Sequence, residues 1–455
     1  MAAYDVVVIG GGPAGYAAAL AARQRGASVA VVERERAGGA CVNFACIPTN
    51  ILMESASTFL DARELDVMGV FSAGEQFSLG RATARAATLV EQVARGVEMM
   101  LRRQGIESVL GRAAFRGPNS IEVALREGGT EVVDAGAFVI ATGSRWETEP
   151  IAGFPDDRVV TPDVVQHMVE APSAVLVLAD TDGHVPFGAE YAALLATSGS
   201  EVTLATSRES LLPALDADLR PAALDGLAAF GVRVLQGARA VRGNDRAISL
   251  GTADGDVEVQ ADLVVVADPR RPSLEGLEVE RAGVTGSPYL SVDQACRTNV
   301  PHIFAAGDAT GGALLTNAAS HMGEVAGTNA AGGEAYARLG SIPKFLHLTP
   351  ECGWVGIDEA SARQLGYDVM TGTADLAFNA RATALGARTG AVKVVAEREL
   401  GQVLGVHVVG PAVDGILALA AFAMQAEIPV AELAGMVQWH PTIGESLAEA
   451  ARRAQ

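Results

Sequence analysis

The first 33 residues carry a glycine-rich turn between two apolar runs, and this feature constrains the fold more than any other. An apolar run over residues 5–9 leads into Gly10-Gly11-Gly12-Pro13-Ala14-Gly15, and an alanine-rich stretch follows. A second apolar run over residues 28–32 ends in Glu33. This order predicts strand, turn, helix and strand, with the helix N-terminus facing a pyrophosphate and Glu33 facing a ribose hydroxyl. The motif with its flanks predicts a dinucleotide site.

Three glycines of this turn, which we call the glycine fingerprint, each have a different role. Gly10 permits the tight turn, Gly12 lets the backbone approach the pyrophosphate, and Gly15 lets the helix pack on the strand. We place Pro13 and Ala14 in the same cofactor site.

Cys41 and Cys46 form a close pair between a double glycine and Pro48. Five residues of regular helix rise about 7.5 Å, which exceeds the roughly 4.4–6.8 Å between Cα atoms that a disulfide tolerates. A disulfide would therefore need a distorted chain between them. Pro48 suits the first turn of a helix, which puts Cys46 near a positive helix end that favours a thiolate. Two buried, unreactive cysteines remain the alternative at this point.

Composition excludes several classes of partner. Lys and Arg total 34 against 54 acidic residues, a formal charge of -20, so neither a nucleic acid nor an anionic membrane is an expected partner. No apolar run reaches the ~18 residues that span a bilayer. The N-terminus lacks signal-peptide features, so we expect a cytoplasmic protein. There a close cysteine pair is more often catalytic than structural, and the single pair predicts no metal site.

The fingerprint followed by Gly-Gly-x-Cys-x-Asn-x-x-Cys-Ile-Pro over residues 38–48 resembles the flavoprotein disulfide reductases, which include dihydrolipoamide dehydrogenase, mercuric reductase and glutathione reductase. The likeness runs nearly end to end, through segments 140–144, 303–310, 381–386, 404–411 and 440–445.

This resemblance implies an α/β fold with two Rossmann-like dinucleotide-binding domains, FAD-binding and NAD(P)-like, and a C-terminal α+β dimerisation domain. We expect the FAD domain over 1–148 and 276–340, the NAD(P)-like domain over 149–275, and the dimerisation domain over 341–455. FAD would also contact Gly39, Ala40, Thr142 and Gly143, and Asp308 would meet its ribityl chain.

The resemblance also implies a homodimer and a redox disulfide between Cys41 and Cys46. Cys41 would exchange with substrate sulfur and Cys46 would contact the flavin. His440 would reach the partner subunit's cysteine pair and move the substrate thiol's proton, and Glu445 would orient it. Without the family, His440 is one of seven histidines, and its one local sign of function is the carboxylate of Glu445 five residues later.

The middle of the chain departs from the family. A strand over 174–178, a helix over 188–197 and a strand over 201–205 are expected, but the turn over 179–188 is several residues longer than the family's glycine-rich turn and keeps only Gly188 in place. Asp180 and Asp182 add negative charge where an anion would sit. Like charges a few Å apart cost on the order of 4 kcal/mol at an effective dielectric of 20.

Other changes also lie on the expected route of electrons between a nicotinamide and the flavin. Thr206 ends the second strand, where an NADH site usually has an acid, although Arg208 could serve a 2'-phosphate. Pro269 replaces a family glycine. Asn50 replaces a lysine that, in the family, lies by the flavin and pairs with a glutamate matching Glu190. We therefore predict that Glu190 lacks its partner.

These patterns favour an FAD-dependent thiol-disulfide oxidoreductase that oxidises a small dithiol through Cys41 and Cys46, with O2 or another non-nicotinamide acceptor such as a quinone. NAD(P)H binding is doubtful on this hypothesis. One alternative is an NAD(P)H-dependent disulfide reductase like dihydrolipoamide dehydrogenase, whose altered turn still binds nucleotide. Another is a catalytically silent flavoprotein scaffold or redox sensor. Mercury reduction is disfavoured because the C-terminus lacks cysteines.

Overall fold

A computed structural model of the chain describes residues 2–63, 65, 76–180, 186–387 and 389–455. The strands of this part are β1 Ala2–Ile9, β2 Val29–Glu33, β3 Glu107–Gly117, β4 Ser120–Leu125, β5 Thr130–Ile140, β6 Ser144–Trp146, β7 Val159–Val160, β8 Ala174–Leu178, β9 Glu201–Thr206, β10 Val232–Gln236, β11 Arg239–Gly243, β12 Ala247–Thr252, β13 Gly255–Gln260, β14 Leu263–Val266, β15 Arg270–Pro272, β16 Ile303–Ala305, β17 Lys344–Leu346, β18 Glu351–Gly356, β19 Val369–Asp375, β20 Ala391–Glu397 and β21 Val403–Gly410.

The α-helices of the same part are α1 Pro13–Gln24, α2 Gly39–Asn43, α3 Cys46–Arg63, α4 Leu79–Arg103, α5 Pro162–Val165, α6 Phe187–Thr197, α7 Arg220–Ala229, α8 Thr316–Ala330, α9 Glu359–Gln364, α10 Ala380–Ala384, α11 Val413–Gln425, α12 Val430–Ala434 and α13 Glu445–Arg453. None of these helices is both long and apolar enough to cross a membrane.

The chain divides into two compact units. The first unit comprises Met1–Thr49, Thr83–Glu147 and Arg270–Leu339, and the second comprises Asn50–Ala82, Thr148–Pro269 and Gly340–Gln455. The division into three domains made from the sequence stays a prediction.

The first unit is built on a sheet whose central strand is β1. Strands β2 and β5 pair with β1 in parallel, β3 and β16 extend the parallel sheet, and β4 is antiparallel to β3 and β5. Val6, Val7 and Val8 are fully buried, as expected for a strand that is covered on both faces. This confirms the predicted strand, glycine turn, helix and strand over residues 5–33.

Small residues bring two helices of the first unit close together. A Cβ atom on Gly323 of α8 would lie 2.2 Å from the carbonyl oxygen of Ala14, and one on Gly327 would lie 2.0 Å from that of Ala18. Only glycine permits this approach of α8 to α1. The packing fixes the start of α8, at Thr316, relative to the glycine turn that precedes α1.

The second unit contains two kinds of sheet. Strands β10, β9, β8, β14 and β7 form a parallel sheet, and β11, β12 and β13 form a small antiparallel one. Strands β17, β18, β21, β20 and β19 form an antiparallel sheet, against which α11 and α13 bury their apolar faces. The mainly parallel sheet of the first unit, the parallel sheet of the second unit and this α+β portion confirm the predicted fold class.

A buried lysine joins separate segments of the second unit. Lys393 on β20 is 3% exposed, and its Nζ lies 2.8 Å from Asp216, 2.6 Å from Asp218 and 2.9 Å from Glu359. Burial alone would raise the pKa of Asp216, but the hydrogen bond from Lys393 and two backbone N–H groups outweigh it, so the pKa is lowered. The loop before α7 is thus tied to the antiparallel sheet by charge.

Candidate active site

The segment between the two cysteines is a break between helices. Helix α2 ends at Asn43, Phe44 leaves the helical region with φ -155° and ψ 12°, and α3 begins at Cys46. Pro48 lies in the first turn of α3. The predicted distortion between Cys41 and Cys46, and the position of Cys46 at a helix N-terminus, are both confirmed.

Both cysteines are thiols in this structure, and their side chains are hydrogen-bonded to each other. The bond to Cys46 and burial raise the pKa of the Cys41 thiol above its ordinary value. Cys46 Sγ also lies 3.0 Å from the hydroxyl oxygen of Thr316. The two thiols therefore interact with each other, and the disulfide between them stays a prediction.

The glycine turn of the first unit forms a narrow cradle. Gly10 has φ +105°, and a Cβ there would lie 2.3 Å from the carbonyl oxygen of Ala141. Gly39 has φ +54°, and its Cβ would lie 2.6 Å from the Cα of Gly12. Helix α1 starts after Gly12 with no side-chain cap, which leaves its first N–H groups available to an anion.

Glu33 and Thr142 lie beside this cradle. Glu33 Oε2 accepts the N–H of Gly11 at 2.7 Å. Gly10, Glu33 and Thr142 line a cavity of about 150 Å³. The buried hydroxyl of Thr142 has no hydrogen-bond partner among the described residues, which is the situation of a group that awaits a ligand.

Asp308 lies in a short 3₁₀ turn, Gly307–Thr310, after β16. Its Oδ2 accepts a hydrogen bond of 2.6 Å from the hydroxyl of Ser144, and it lies 3.1 Å from Nη1 of Arg270. Asp308 also lines a second cavity, of about 280 Å³. The glycine cradle, the unpartnered hydroxyl and the anchored carboxylate fit a bound FAD, and the individual contacts to FAD stay predictions.

His440 and Glu445 meet in the second unit. His440 Nδ1 lies 3.0 Å from Glu445 Oε1, and Glu445 Oε2 accepts the N–H of Thr442 at 2.9 Å. These two bonds, the backbone bond first, lower the pKa of Glu445, so the carboxylate is ionised and orients the ring. The His440 side chain is 74% exposed, which leaves Nε2 free to act outside the chain. The cysteine pair lies in the other unit.

The altered turn of the second unit begins after β8. Asp182 and Gly183 lie outside the described residues. Asp180 is exposed, so solvent screens the repulsion expected from its charge. Its Oδ1 instead accepts the hydroxyl of Thr206 at 3.0 Å and the N–H of Ser207 at 2.5 Å. A carboxylate from the turn thus occupies the donors at the end of β9.

Glu190 lacks the lysine that pairs with it in the family, because Asn50 stands in its place, but the structure gives it another partner. Its Oε1 accepts both the backbone N–H and Nδ1 of His347, each at 2.8 Å, and its side chain is 2% exposed. His347 Nε2 lies 2.6 Å from Nδ2 of Asn50. Sequence reasoning missed His347 because it lies 157 residues after Glu190 and no local motif marks it.

Comparisons with known proteins agree with this geometry. The family model for pyridine nucleotide-disulphide oxidoreductases matches residues 4–323, and that for their dimerisation domain matches 342–451. Dihydrolipoyl dehydrogenases from Bacillus subtilis and Thermus scotoductus are each 34% identical; the alignments cover 98% and 99% of this chain and 97% of each relative.

Solved structures match over the whole length. LpdA from Mycobacterium tuberculosis is 29% identical with a TM-score of 0.89, covering 100% of both chains. The HOCl-induced flavoprotein disulfide reductase RclA from Escherichia coli, at 24% identity and a TM-score of 0.85, covers 99% of this chain and all of its own, and it shows the fold alone.

Proposed function

Because this chain belongs to the pyridine nucleotide-disulphide oxidoreductase family, we propose that it oxidises a small dithiol to a disulfide and delivers the electron pair to an acceptor other than a nicotinamide. The family consists of FAD-dependent oxidoreductases that act on sulfur groups. The finer assignment rests on the contrast between an intact cysteine and FAD site and an altered second nucleotide turn.

The observation that carries the proposal is the carboxylate of Asp180 at the end of β9. In a nicotinamide site, this strand end usually offers an acid to the ribose, and the preceding turn offers backbone N–H groups to phosphate. Here Thr206 is not an acid, and Asp180 already binds its hydroxyl and the N–H of Ser207. A dinucleotide would have to displace these bonds and approach a negative charge.

The cysteines perform the exchange in this proposal. A substrate thiolate attacks Sγ of Cys41 in the disulfide form, so a substrate–Cys41 bond forms and the Cys41–Cys46 bond breaks. The second substrate thiolate then attacks the substrate sulfur of this mixed disulfide and releases Cys41. The substrate loses two electrons and two protons, and the cysteine pair gains two electrons. The N-terminus of α3 and the hydroxyl of Thr316 stabilise Cys46 as a thiolate.

The residues that would hold FAD are Gly10, Gly12, Pro13, Ala14, Gly15, Glu33, Gly39, Ala40, Thr142, Gly143 and Asp308. When bound, FAD accepts an electron pair from the cysteine dithiol and supplies it to the terminal acceptor. With oxygen as acceptor the balance is one dithiol and one O2 to one disulfide and one H2O2.

The second subunit completes the site in this proposal. The chain carries the family's dimerisation domain, and we propose a homodimer in which the exposed His440 takes the substrate thiol's proton beside the partner subunit's cysteine pair. Glu445 holds the imidazolium that forms. We also propose the domain boundaries given above, with 149–275 retained as a scaffold.

A second candidate is an NAD(P)H-dependent disulfide reductase. The observation that favours it is the 34% identity to dihydrolipoyl dehydrogenases across nearly the whole chain. The same cysteines would then work in the opposite direction, and the turn over 179–188 would bind the nucleotide in another way.

The test uses the FAD-loaded protein with a small dithiol, such as reduced lipoamide, in an oxygen electrode without added nucleotide. We expect oxygen uptake with equimolar H2O2 and disulfide. Cys41→Ser should abolish the uptake, whereas Cys352→Ala, which changes a buried cysteine outside the pair, should retain it. Dithiol oxidation only after NAD+ or NADP+ is added would overturn the proposal in favour of the second candidate.

A further inference from the structure

Two short strands of the first unit form a ribbon that contacts Asp308. Strand β6 pairs antiparallel with β15, and both strands belong to the same compact unit as Asp308. The hydroxyl of Ser144, on β6, donates to Oδ2 of Asp308 at 2.6 Å. Nη1 of Arg270, on β15, lies 3.1 Å from the same oxygen. Each strand of this β6–β15 ribbon therefore supplies one side chain to one oxygen of the carboxylate.

The other carboxylate oxygen of Asp308 stays available to a ligand. Both side-chain bonds of Asp308 go to Oδ2, and Oδ1 has no hydrogen-bond partner among the described residues. A carboxylate oxygen accepts hydrogen bonds, and Asp308 lines the cavity of about 280 Å³. The β6–β15 ribbon thus fixes the carboxylate by one oxygen and leaves the other for a hydroxyl group bound in that cavity.

Arg270 also holds a second wall of this cavity. Its Nη2 donates to the carbonyl oxygen of Leu314, which lines the same cavity as Asp308. Leu314 has φ +50°, a left-handed conformation that residues other than glycine rarely adopt and that persists where surrounding contacts hold it. The Arg270 side chain is 9% exposed, and its guanidinium presents N–H donors in a fixed planar fork. One buried side chain therefore connects Asp308 to the backbone that precedes α8.

We propose that Arg270 and Ser144 are positioning residues for FAD, which hold Asp308 so that its Oδ1 accepts a hydroxyl of the ribityl chain. The inference rests on the FAD site of the proposed function, but not on the direction in which electrons flow. If Arg270 acts through the carboxylate, its loss has little further effect once the carboxylate is gone. The two substitutions should therefore not have independent effects on FAD affinity.

The test is a double-mutant cycle on FAD affinity. Serial dilutions of the FAD-loaded protein are filtered, and the flavin fluorescence of the filtrate measures the free FAD. Arg270→Met and Asp308→Asn should each weaken FAD binding at least about tenfold, because each removes a charge-assisted hydrogen bond. In the double variant the loss should be at least about tenfold smaller than the product of the two single losses. Losses that simply multiply would overturn the positioning role.

Ser144 provides a milder test that stands even if Arg270→Met fails to fold. Ser144→Ala removes the hydroxyl that donates to Asp308 and should weaken FAD binding about three- to tenfold. Ser144→Thr keeps a hydroxyl and should restore the affinity, so equal FAD affinities in these two variants would overturn the role of the hydroxyl. Arg270→Lys keeps the charge without the planar fork and should recover only part of the affinity lost in Arg270→Met. Full affinity in Arg270→Lys would overturn the contact of one side chain with two acceptors.

Arg271→Gln is the matched control. Arg271 follows Arg270 on β15, but its side chain is 48% exposed and its Nε lies 3.6 Å from Glu147. FAD affinity should stay unchanged in this variant, and a loss as large as that of Arg270→Met would overturn the inference. An unaltered chain that binds no FAD would overturn the proposed function, whereas a chain that binds FAD with multiplying losses would overturn this inference only.

Discussion

The two glycine-containing turns of this chain each follow a strand and precede a helix, but the carboxylate that bonds to the backbone comes from a different element in each. In the first unit, Glu33 at the end of β2 reaches back to the N–H of Gly11 in the turn. In the second unit, Asp180 in the turn reaches forward to the N–H of Ser207 at the end of β9. In the first, the acid comes from the strand and leaves the turn open; in the second, it comes from the turn and occupies the strand end.

This difference shows that the packing of the helix on the strand and the binding of a nucleotide by the turn depend on different residues. Gly15 and Gly188 both lie where their helices approach a strand, and a Cβ on Gly188 would lie 2.9 Å from that of Ala179. The close helix–strand contact therefore persists in both units. Backbone N–H groups that bind phosphate are a separate requirement. A domain that keeps the close helix–strand contact can lose its phosphate-binding groups without losing its fold.

The largest expected effect comes from the cysteine pair. Cys46→Ser removes the thiolate at the start of α3 and should lower dithiol-driven flavin reduction by at least about a thousandfold, as loss of a nucleophile does. Stopped-flow absorbance without oxygen measures it. FAD content should stay unchanged, because the cradle is formed by other residues. Retention of near-normal reduction would place the chemistry elsewhere.

The next effect is that of the His440–Glu445 pair. His440→Gln should slow turnover about 10²- to 10⁴-fold, the range of a lost general acid or base. Glu445→Gln should cost less. The amide keeps an oxygen that accepts from Nδ1 of His440, so the ring stays oriented and only the negative charge is lost. Steady-state turnover of both variants checks this, and a larger loss in Glu445→Gln than in His440→Gln would contradict it.

Lys393→Met tests whether the second unit is needed as a scaffold. It leaves the buried Asp216 without its cation and should destabilise the protein by about 3–5 kcal/mol. The stabilisation from Asp216, whose folded-state pKa is lowered, is present above about pH 4 and is lost as the pH falls through that lowered pKa. Thermal unfolding of both proteins from neutral to acidic pH measures it. Equal melting temperatures at neutral pH would refute a stabilising role.

Gly39→Ala tests the cradle of the first unit. Its new Cβ would meet the Cα of Gly12 at 2.6 Å and would hold a side chain at φ +54°, so the affinity for FAD should fall about tenfold or more, at a strain cost of order 1–3 kcal/mol. The flavin-to-protein absorbance ratio after dialysis reports it. Gly96→Ala is the matched control, because a Cβ at Gly96 meets nothing within 4 Å and its φ is not positive. Equal FAD retention in the two variants would contradict the cradle.

The smallest effect is expected from Asp180→Ala. It removes the bonds to Thr206 and Ser207 and should cost about 1 kcal/mol of stability or less, since both groups can turn to water. It should not create NADH binding, because Thr206 still supplies no acid for the ribose. Thermal unfolding and calorimetry with NADH measure the two parts. Tight NADH binding by this variant would show that Asp180 alone blocks the site.

The sequence predicted those features whose causes are local. The glycine turn, the break between Cys41 and Cys46, and the approach of His440 to Glu445 all follow from residues a few positions apart. The partners of Glu190 and Asp180 could not be predicted in this way, because His347 and Ser207 come from other elements that only the folded second unit brings near. The effect of Asp180 was expected as repulsion, but its exposure makes hydrogen-bond occupancy the stronger cause.

The most direct measurement compares reductants on the intact FAD-loaded protein without oxygen. Reduced lipoamide should bleach the flavin band, whereas NADH and NADPH should leave it unchanged and produce no binding heat in a calorimeter. Tight, stoichiometric binding of either nucleotide, with prompt bleaching of the flavin, would contradict the claim that this chain keeps the flavin site and has lost the nicotinamide site.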